Sequence, residues 1–208
     1  MVLARFITLE GGEGAGKSTQ LRRLADLIRA RGHEVVETRE PGGSKGAEAI
    51  RALLLQGDED RWNSGAEALL FAAARADHVV KTIKPALGRG AWVLCDRFLD
   101  SSLAYQGGAG GLGVEKVRAL HDVGSGGFLP DRTLLLHLGP QEAAQRAMQR
   151  DGDSADRIGA RDASYHQAVA SAFADLASGE PERFRTIDAS GSAEEVTPRL
   201  LAALEDLL

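Results

Sequence analysis

The sequence predicts an α/β fold, a five-stranded parallel sheet with helices on both faces, and three observations predict it. Four apolar runs have the length and content of buried strands, with a weaker fifth near the end. Longer stretches with helical spacing of apolar residues separate them. A glycine-rich turn joins the first run directly to the first helical stretch. Strands that alternate with helices imply right-handed crossovers, hence parallel pairing and a sheet covered on both sides.

The first strand is expected at Arg5–Glu10. Beyond the turn, Leu21, Leu24 and Ile28 share one face of a helix that ends near Gly32, with basic residues around the rest. His33–Thr38 is the second strand, and an Ala-rich helix covers Ala66–Leu87 with Pro85 near its end. Ala91–Asp96 is the third strand. Gly107–Gly113 is glycine-dense and short enough to be a loop, and Val114–Val123 reads as helix. Arg132–Leu138 is the fourth strand, followed by helical patterns at Gln141–Arg150 and Ala163–Leu176. The polar stretch Asp151–Asp156 between them is expected to be mobile. Arg183–Asp188 is the fifth strand, and Ala193–Leu208 reads as a closing helix. With no repeat, low-complexity tract or linker, residues 1–208 read as one domain.

Composition narrows the function. Hydrophobic residues are 43% and charged residues 26% of the 208, a balance that fills a core, and aromatics are only 5%. The formal charge of -5 argues against nucleic acid or a membrane surface as partner, since either needs a basic face. One cysteine, Cys95, excludes an internal disulfide and a multi-cysteine metal site. Met1–Leu9 is too short an apolar run for a signal peptide and is followed by Glu10 and Glu13. No run of about 20 apolar residues is present to span a bilayer. A cytoplasmic protein is expected.

The strongest motif is Gly11-Gly12-Glu13-Gly14-Ala15-Gly16-Lys17-Ser18-Thr19, set between a strand and a helix. It satisfies the pattern of a phosphate-binding loop in the context that loop requires, so a P-loop NTPase fold is expected. Glycines let successive backbone N–H groups face phosphate oxygens, and the helix N-terminus adds a positive dipole end. Lys17 suits the β- and γ-phosphates of ATP, and the Ser18 hydroxyl suits Mg²⁺. The competing reading, a strand-to-helix turn whose glycines serve packing alone, leaves Lys17 and Ser18 without a purpose.

Two further blocks end strands: Thr38-Arg39-Glu40-Pro41-Gly42-Gly43-Ser44 and Cys95-Asp96-Arg97 running on to Tyr105-Gln106-Gly107. Ligands of open parallel sheets bind beyond the carboxyl ends of the strands, so all three blocks gather at one edge. Asp96 is placed to hold Mg²⁺ and Arg97 to grip a second phosphate. Phe71 on an Ala-rich helix would, taken alone, be core. Arg75 lies four residues on, on the same face, and an aromatic plane beside a fork of donors makes a base pocket. Arg51 reads equally as a solvated helix residue, and Tyr105 as a cap on the core. His78, His121 and His166 lack metal-ligand spacing and read as structural.

Together the stretches Phe6–Gln20, Thr38–Leu55, Glu67–His78, Asp96–Gly107 and Ile187–Val196 closely resemble the thymidylate kinase family in order and spacing. The resemblance covers nearly the whole chain. It implies transfer of the ATP γ-phosphoryl group to the 5′-phosphate of dTMP, giving dTDP for dTTP biosynthesis, and a homodimer, with the 66–87 helix as its candidate interface. It implies that Phe71 stacks on thymine, that Arg75 and Ser102 contact the base, and that Tyr105 lies against the deoxyribose. Gln106 then sits near base or sugar, Arg97 holds the acceptor phosphate, Glu13 lies near the 3′-hydroxyl, and Arg39, Pro41 and Arg51 flank the pocket.

Phosphoryl transfer onto a phosphate needs cations more than a base. Arg146 and Arg150 are four apart, as are Arg157 and Arg161, around a segment that reads as a lid over 146–162. In the family the catalytic arginine comes either from the phosphate loop or from the lid. Here the loop carries Gly14, which implies a lid donor, with Arg150 and Arg157 the expected ones. Two departures are visible: Asp156-Arg157-Ile158-Gly159 lacks the family's acidic residue after the Asp-Arg pair, and His137 replaces the usual strand-end Asp. Asp188-Ala189-Ser190-Gly191-Ser192 resembles the family's adenine loop and reads equally as a turn capped by Ser192. The alternatives are a kinase of another nucleoside monophosphate or deoxynucleoside, with Glu40 as a base, and a nucleotide-dependent switch.

Overall fold

A computed structural model of the chain describes residues 4–58, 60–151 and 156–208, and the side chains of residues 150 and 151 are not among those described. The strands are β1 (Phe6–Glu10), β2 (Val35–Arg39), β3 (Trp92–Asp96), β4 (Arg132–His137) and β5 (Phe184–Asp188). They form one sheet in the order β2-β3-β1-β4-β5, with every pairing parallel. Five strands were expected from five apolar runs, and each lies within about a residue or two of its run. Burial on both faces makes β1, β3 and β4 legible as continuous apolar segments, whereas the edge strands β2 and β5 are partly exposed and carry polar residues.

The helices are α1 (Lys17–Ala30), α2 (Lys45–Leu55), α3 (Ser64–His78), α4 (Lys84–Gly88), α5 (Leu99–Ser102), α6 (Val114–Ser125), α7 (Pro140–Asp151), α8 (Ala163–Gly179) and α9 (Ala193–Ala202). A π-helical stretch, Val79–Ile83, carries α3 into α4, so the expected 66–87 helix is continuous but wider over one turn. Two elements differ from expectation. α2 was not anticipated, and Leu103–Ala109 is π-helical where a loop was expected to begin at Gly107. The glycines there serve close packing: a Cβ on Gly108 would meet the Ala172 side chain of α8 within 3.0 Å. The last helix ends at Ala202, six residues short of the expected close. The expected mobile stretch 151–156 falls largely outside the described residues.

One core lies on each side of the sheet. Leu21, Leu24 and Ile28 of α1 pack with Ile7, Leu9, Trp92 and Leu134 beneath α9. Phe6, Val93, Phe98, Leu103, Val117 and Phe173 fill the other side under α3, α6 and α8. The strand ends Glu10, Arg39 and Asp96 come out together along the carboxyl edge, through the β1–β3 and β2–β3 registers. Among the described residues no helix is long and apolar enough to cross a membrane.

Candidate active site

After β1 the backbone turns through Gly11, Gly14 and Gly16, all at positive φ (139°, 72° and 82°), a conformation a side chain would strain. Gly16 is the N-cap of α1 and provides no side-chain cap, which leaves the first amides of α1 for an anion. Lys17 folds back over the loop, donating from Nζ to the carbonyl oxygens of Gly12 (2.7 Å) and Gly11 (3.2 Å). Burial, followed by the charge of Arg97, lowers its pKa to about 8. Ser18 Oγ donates to Asp96 Oδ2 at 2.5 Å. These two hard oxygens suit Mg²⁺, which takes one or two protein ligands and fills its shell with phosphate and water. No larger cluster of metal-ligating side chains occurs among the described residues.

Arg97 follows β3 in a left-handed conformation (φ 68°), held by a web of bonds. Its guanidinium donates to Gly11 O (3.0 Å), Ser101 Oγ (3.1 Å) and Glu13 Oε1 (2.5 Å), and lies 5.0 Å from the centre of the Tyr105 ring. Behind it, the fully buried Glu10 accepts from the Phe98 amide (2.7 Å) and the Ser101 hydroxyl (2.6 Å). Burial, and then the nearby Asp100, raise the Glu10 pKa to about 7. Asp100 is itself buried and paired with Arg183 at 2.7 Å.

The pocket beyond Arg97 is walled by α3. Arg75 donates from Nε to Glu40 Oε2 (2.8 Å) and from Nη2 to Ser102 Oγ (2.6 Å) and Phe98 O (3.2 Å). The other Glu40 oxygen bonds His78 Nδ1 at 2.9 Å, and His78 Nε2 meets Thr38 Oγ1 at 2.7 Å. Glycine is required at position 43, where φ is 82° and a Cβ would overlap the His78 ring. The Glu40–Pro41 peptide is cis, and Arg51 Nη1 donates to Pro41 O at 2.7 Å. Arg39, more than half exposed, pairs with Glu48 at 3.2 Å.

A cleft of about 670 Å³ runs from the phosphate loop to this pocket. It brings together Glu13, Gly14, Gly16, Lys17, Ser18, Thr19, Arg39, Pro41, Arg51, Phe71, Arg75, Asp96, Arg97, Ser102, Tyr105 and Gln106. Gly11 and Gly12 contribute carbonyl groups beneath it, and Ala15 is buried behind the loop. Phe71 belongs to the core and to the cleft at once.

The lid arginines behave differently from one another. Arg146 lines the cleft and ties α7 to the late loop, donating to Gly191 O (2.8 Å) and Ala189 O (3.3 Å). The Arg150 side chain lies outside the described residues. Arg157 was expected to face the phosphates, and here it does not line the cleft. Its guanidinium is buried, donating to Glu67 Oε2 (2.5 Å) and Leu54 O (3.0 Å). A buried carboxylate on α3 demands a cation, and that demand draws Arg157 inward.

Four participants escaped sequence reasoning. Glu67 joins Arg157 and Arg161 to Gln106, and Glu10 with Ser101 supports Arg97. The fourth, His78, was read as structural without its link to Glu40. An acidic residue inside or ending an apolar run was the available signal for both glutamates.

Comparison with known proteins bears on this cleft. The family model for thymidylate kinase matches residues 9–200. The thymidylate kinase of Rhizorhabdus wittichii is 63% identical over 204 residues, 98% of either chain. That of Caulobacter vibrioides is 48% identical, over 98% of this chain and 95% of its own. A crystal structure of thymidylate kinase from Ehrlichia chaffeensis superposes with a TM-score of 0.74 at 32% identity, covering 97% of this chain and 99% of that one.

Proposed function

The chain belongs to the thymidylate kinase family, and we infer that it transfers the γ-phosphoryl group of ATP to the 5′-phosphate of dTMP, giving dTDP and ADP. One observation carries the reading: a single cleft joins a phosphate loop at one end to an aromatic ring beside a guanidinium at the other, with Arg97 between them. ATP phosphates lie on the loop amides and Lys17. Thymine lies on Phe71 beside Arg75, Ser102 and Gln106, with Arg39, Pro41 and Arg51 flanking it and Tyr105 against the sugar.

An oxygen of the dTMP phosphate attacks the γ-phosphorus in line as the bond to the β-phosphate oxygen breaks. The acceptor is already an anion, so no side chain has to remove a proton. The protein's part is to bring two anions together, with Lys17 on the donor and Arg97 on the acceptor. Ser18 and Asp96 would hold Mg²⁺, which would supply positive charge against the phosphates. Glu13 positions Arg97 and faces the 3′-hydroxyl. Residues 146–162 act as a lid that delivers a further cation, Arg150 from α7, with Arg146 at the cleft wall. The enzyme works in the cytoplasm as a homodimer, and exposed Leu69 and Val80 along the 64–83 helix with Val123 on α6 are the surface offered for it.

Both oxygens of Glu40 are engaged by Arg75 and His78, which removes the base that a nucleoside kinase would need. A switch protein would have no use for Phe71 beside Arg75. A coupled ADP-release assay with ATP, Mg²⁺ and a panel of dTMP, dCMP, UMP and AMP tests the reading. Turnover is expected with dTMP far above the others, and equal turnover across the panel would refute it.

A further inference from the structure

Glu67 sits on α3 one turn before Phe71 and two before Arg75, on the face that meets the pocket, and is only 2% exposed. Its two oxygens have different partners. Oε1 accepts from Gln106 Nε2 at 3.0 Å. Oε2 accepts from Arg157 Nη2 at 2.5 Å and Arg161 Nη2 at 2.9 Å. A carboxylate between two guanidinium groups can only accept hydrogen bonds.

That restriction decides the Gln106 amide. Its NH₂ group must turn toward Glu67, so its carbonyl oxygen turns away. Among the described residues no donor reaches Gln106 Oε1, and Gln106 lines the cleft. On the adjoining wall Arg75 has Nε and Nη2 engaged, and no described residue accepts from Nη1. The pocket thus offers one N–H donor and one carbonyl acceptor. Thymine and uracil present the complement, the O4 acceptor and the N3–H donor. Cytosine presents the reverse, an amino donor at N4 and an acceptor at N3.

We propose that Glu67 is the positioning residue that sets this polarity: it fixes the Gln106 amide so that the pocket accepts a thymine-type edge and rejects a cytosine-type edge, with Arg157 and Arg161 anchoring it. The lid's far end and the base reader therefore share one buried ion cluster. The inference rests on the reading of the cleft as the dTMP site.

The test is kcat/KM for dTMP and dCMP in the wild type, Glu67→Gln and the exchange Glu67→Gln/Gln106→Glu, with folding followed by circular dichroism. An amide at position 67 can donate to Gln106 and let its amide turn over. The dTMP-to-dCMP preference of Glu67→Gln is then expected to fall at least about tenfold, well within what a hydrogen-bonding site discriminates. The exchange returns an acceptor to the base and keeps one carboxylate in the cluster, so the preference recovers. If the wild type itself does not prefer dTMP, the reading of the cleft fails. If it does and Glu67→Gln loses both activities in proportion, Glu67 is merely structural and the inference is overturned. Should Glu67→Gln not fold, the exchange decides: retained preference supports the assignment and lost preference overturns it.

Discussion

Gly14 of the phosphate loop and Ala143 of α7 are in backbone contact: a Cβ at position 14 would fall well under 3.0 Å from the Ala143 carbonyl oxygen. The loop and the lid helix therefore fit together only because this residue has no side chain. Gly14→Ala adds a left-handed strain of about 1–2 kcal/mol and forces α7 outward, since backbone cannot yield as a side chain would. We expect kcat to fall about a hundredfold, the cost of a misplacement near 1 Å at a site of this kind. The unfolding temperature should fall by only about 2–8 °C, the size of that strain in a domain of this length. An unchanged kcat would show that α7 need not seat against the loop.

Phe71 serves the core and the cleft together, so truncation to alanine would confuse the two roles. Phe→Ala at such a site costs about 3–5 kcal/mol of stability. Phe71→Leu keeps most of the packing and removes the flat face. Loss of stacking worth about 1–3 kcal/mol predicts a dTMP KM raised roughly tenfold or more, with the ATP KM unchanged. Steady-state kinetics with each substrate varied in turn checks this, and a dTMP KM equal to that of the wild type would confine Phe71 to the core.

Much of this was legible in the sequence, for a physical reason that also marks where legibility stops. Gly11–Ser18 could be read because phosphate contact restricts the loop to backbone geometry that few residues permit. The central strands β1, β3 and β4 could be read because burial on both faces leaves them nearly all apolar. Glu67 and Glu10 were harder to read: each is marked only as an acidic residue in or ending an apolar run, while its partners, Arg157 and Arg161 for Glu67 and Ser101 for Glu10, are distant in sequence or unmarked by spacing. Arg157 was drawn into the catalytic reading by its local pattern, and only the tertiary placement of Glu67 accounts for its burial away from the cleft wall. α2 and the helical turn at 103–109 were missed because their glycines, Gly46, Gly107 and Gly108, resemble loop signals while in fact allowing close packing.

Glu10 makes stability depend on pH in a stated direction. Its pKa is raised from 4.5 to about 7 in the folded protein, by burial first and by Asp100 second. Between those values the unfolded chain has released the proton while the folded chain still holds it. Stability from this group is therefore present below pH 4.5 and is lost as pH rises toward 7. Glu10→Gln removes that slope. Urea midpoints at pH 5 and pH 8 should accordingly fall further in the wild type than in Glu10→Gln, and parallel changes would mean that Glu10 does not titrate in this window.

Arg150 and Arg157 should respond to alanine in opposite ways, although they flank the same segment. Removing Arg157 leaves the buried Glu67 with less of its compensating charge, and breaking a buried pair costs about 3–5 kcal/mol. Arg161 remains bonded to Glu67 at 2.9 Å and limits the damage. Arg157→Ala should thus lower the unfolding temperature and raise the dTMP KM through Gln106, with kcat less affected. Arg150→Ala, at the end of α7, should lower kcat by about 10³-fold, in line with cations that act on the transferring phosphoryl group. The two variants measured side by side, by thermal unfolding and by kinetics at saturating substrates, separate anchor from catalyst. If Arg157→Ala were stable and lost kcat while Arg150→Ala kept it, the roles given to the two arginines would be exchanged.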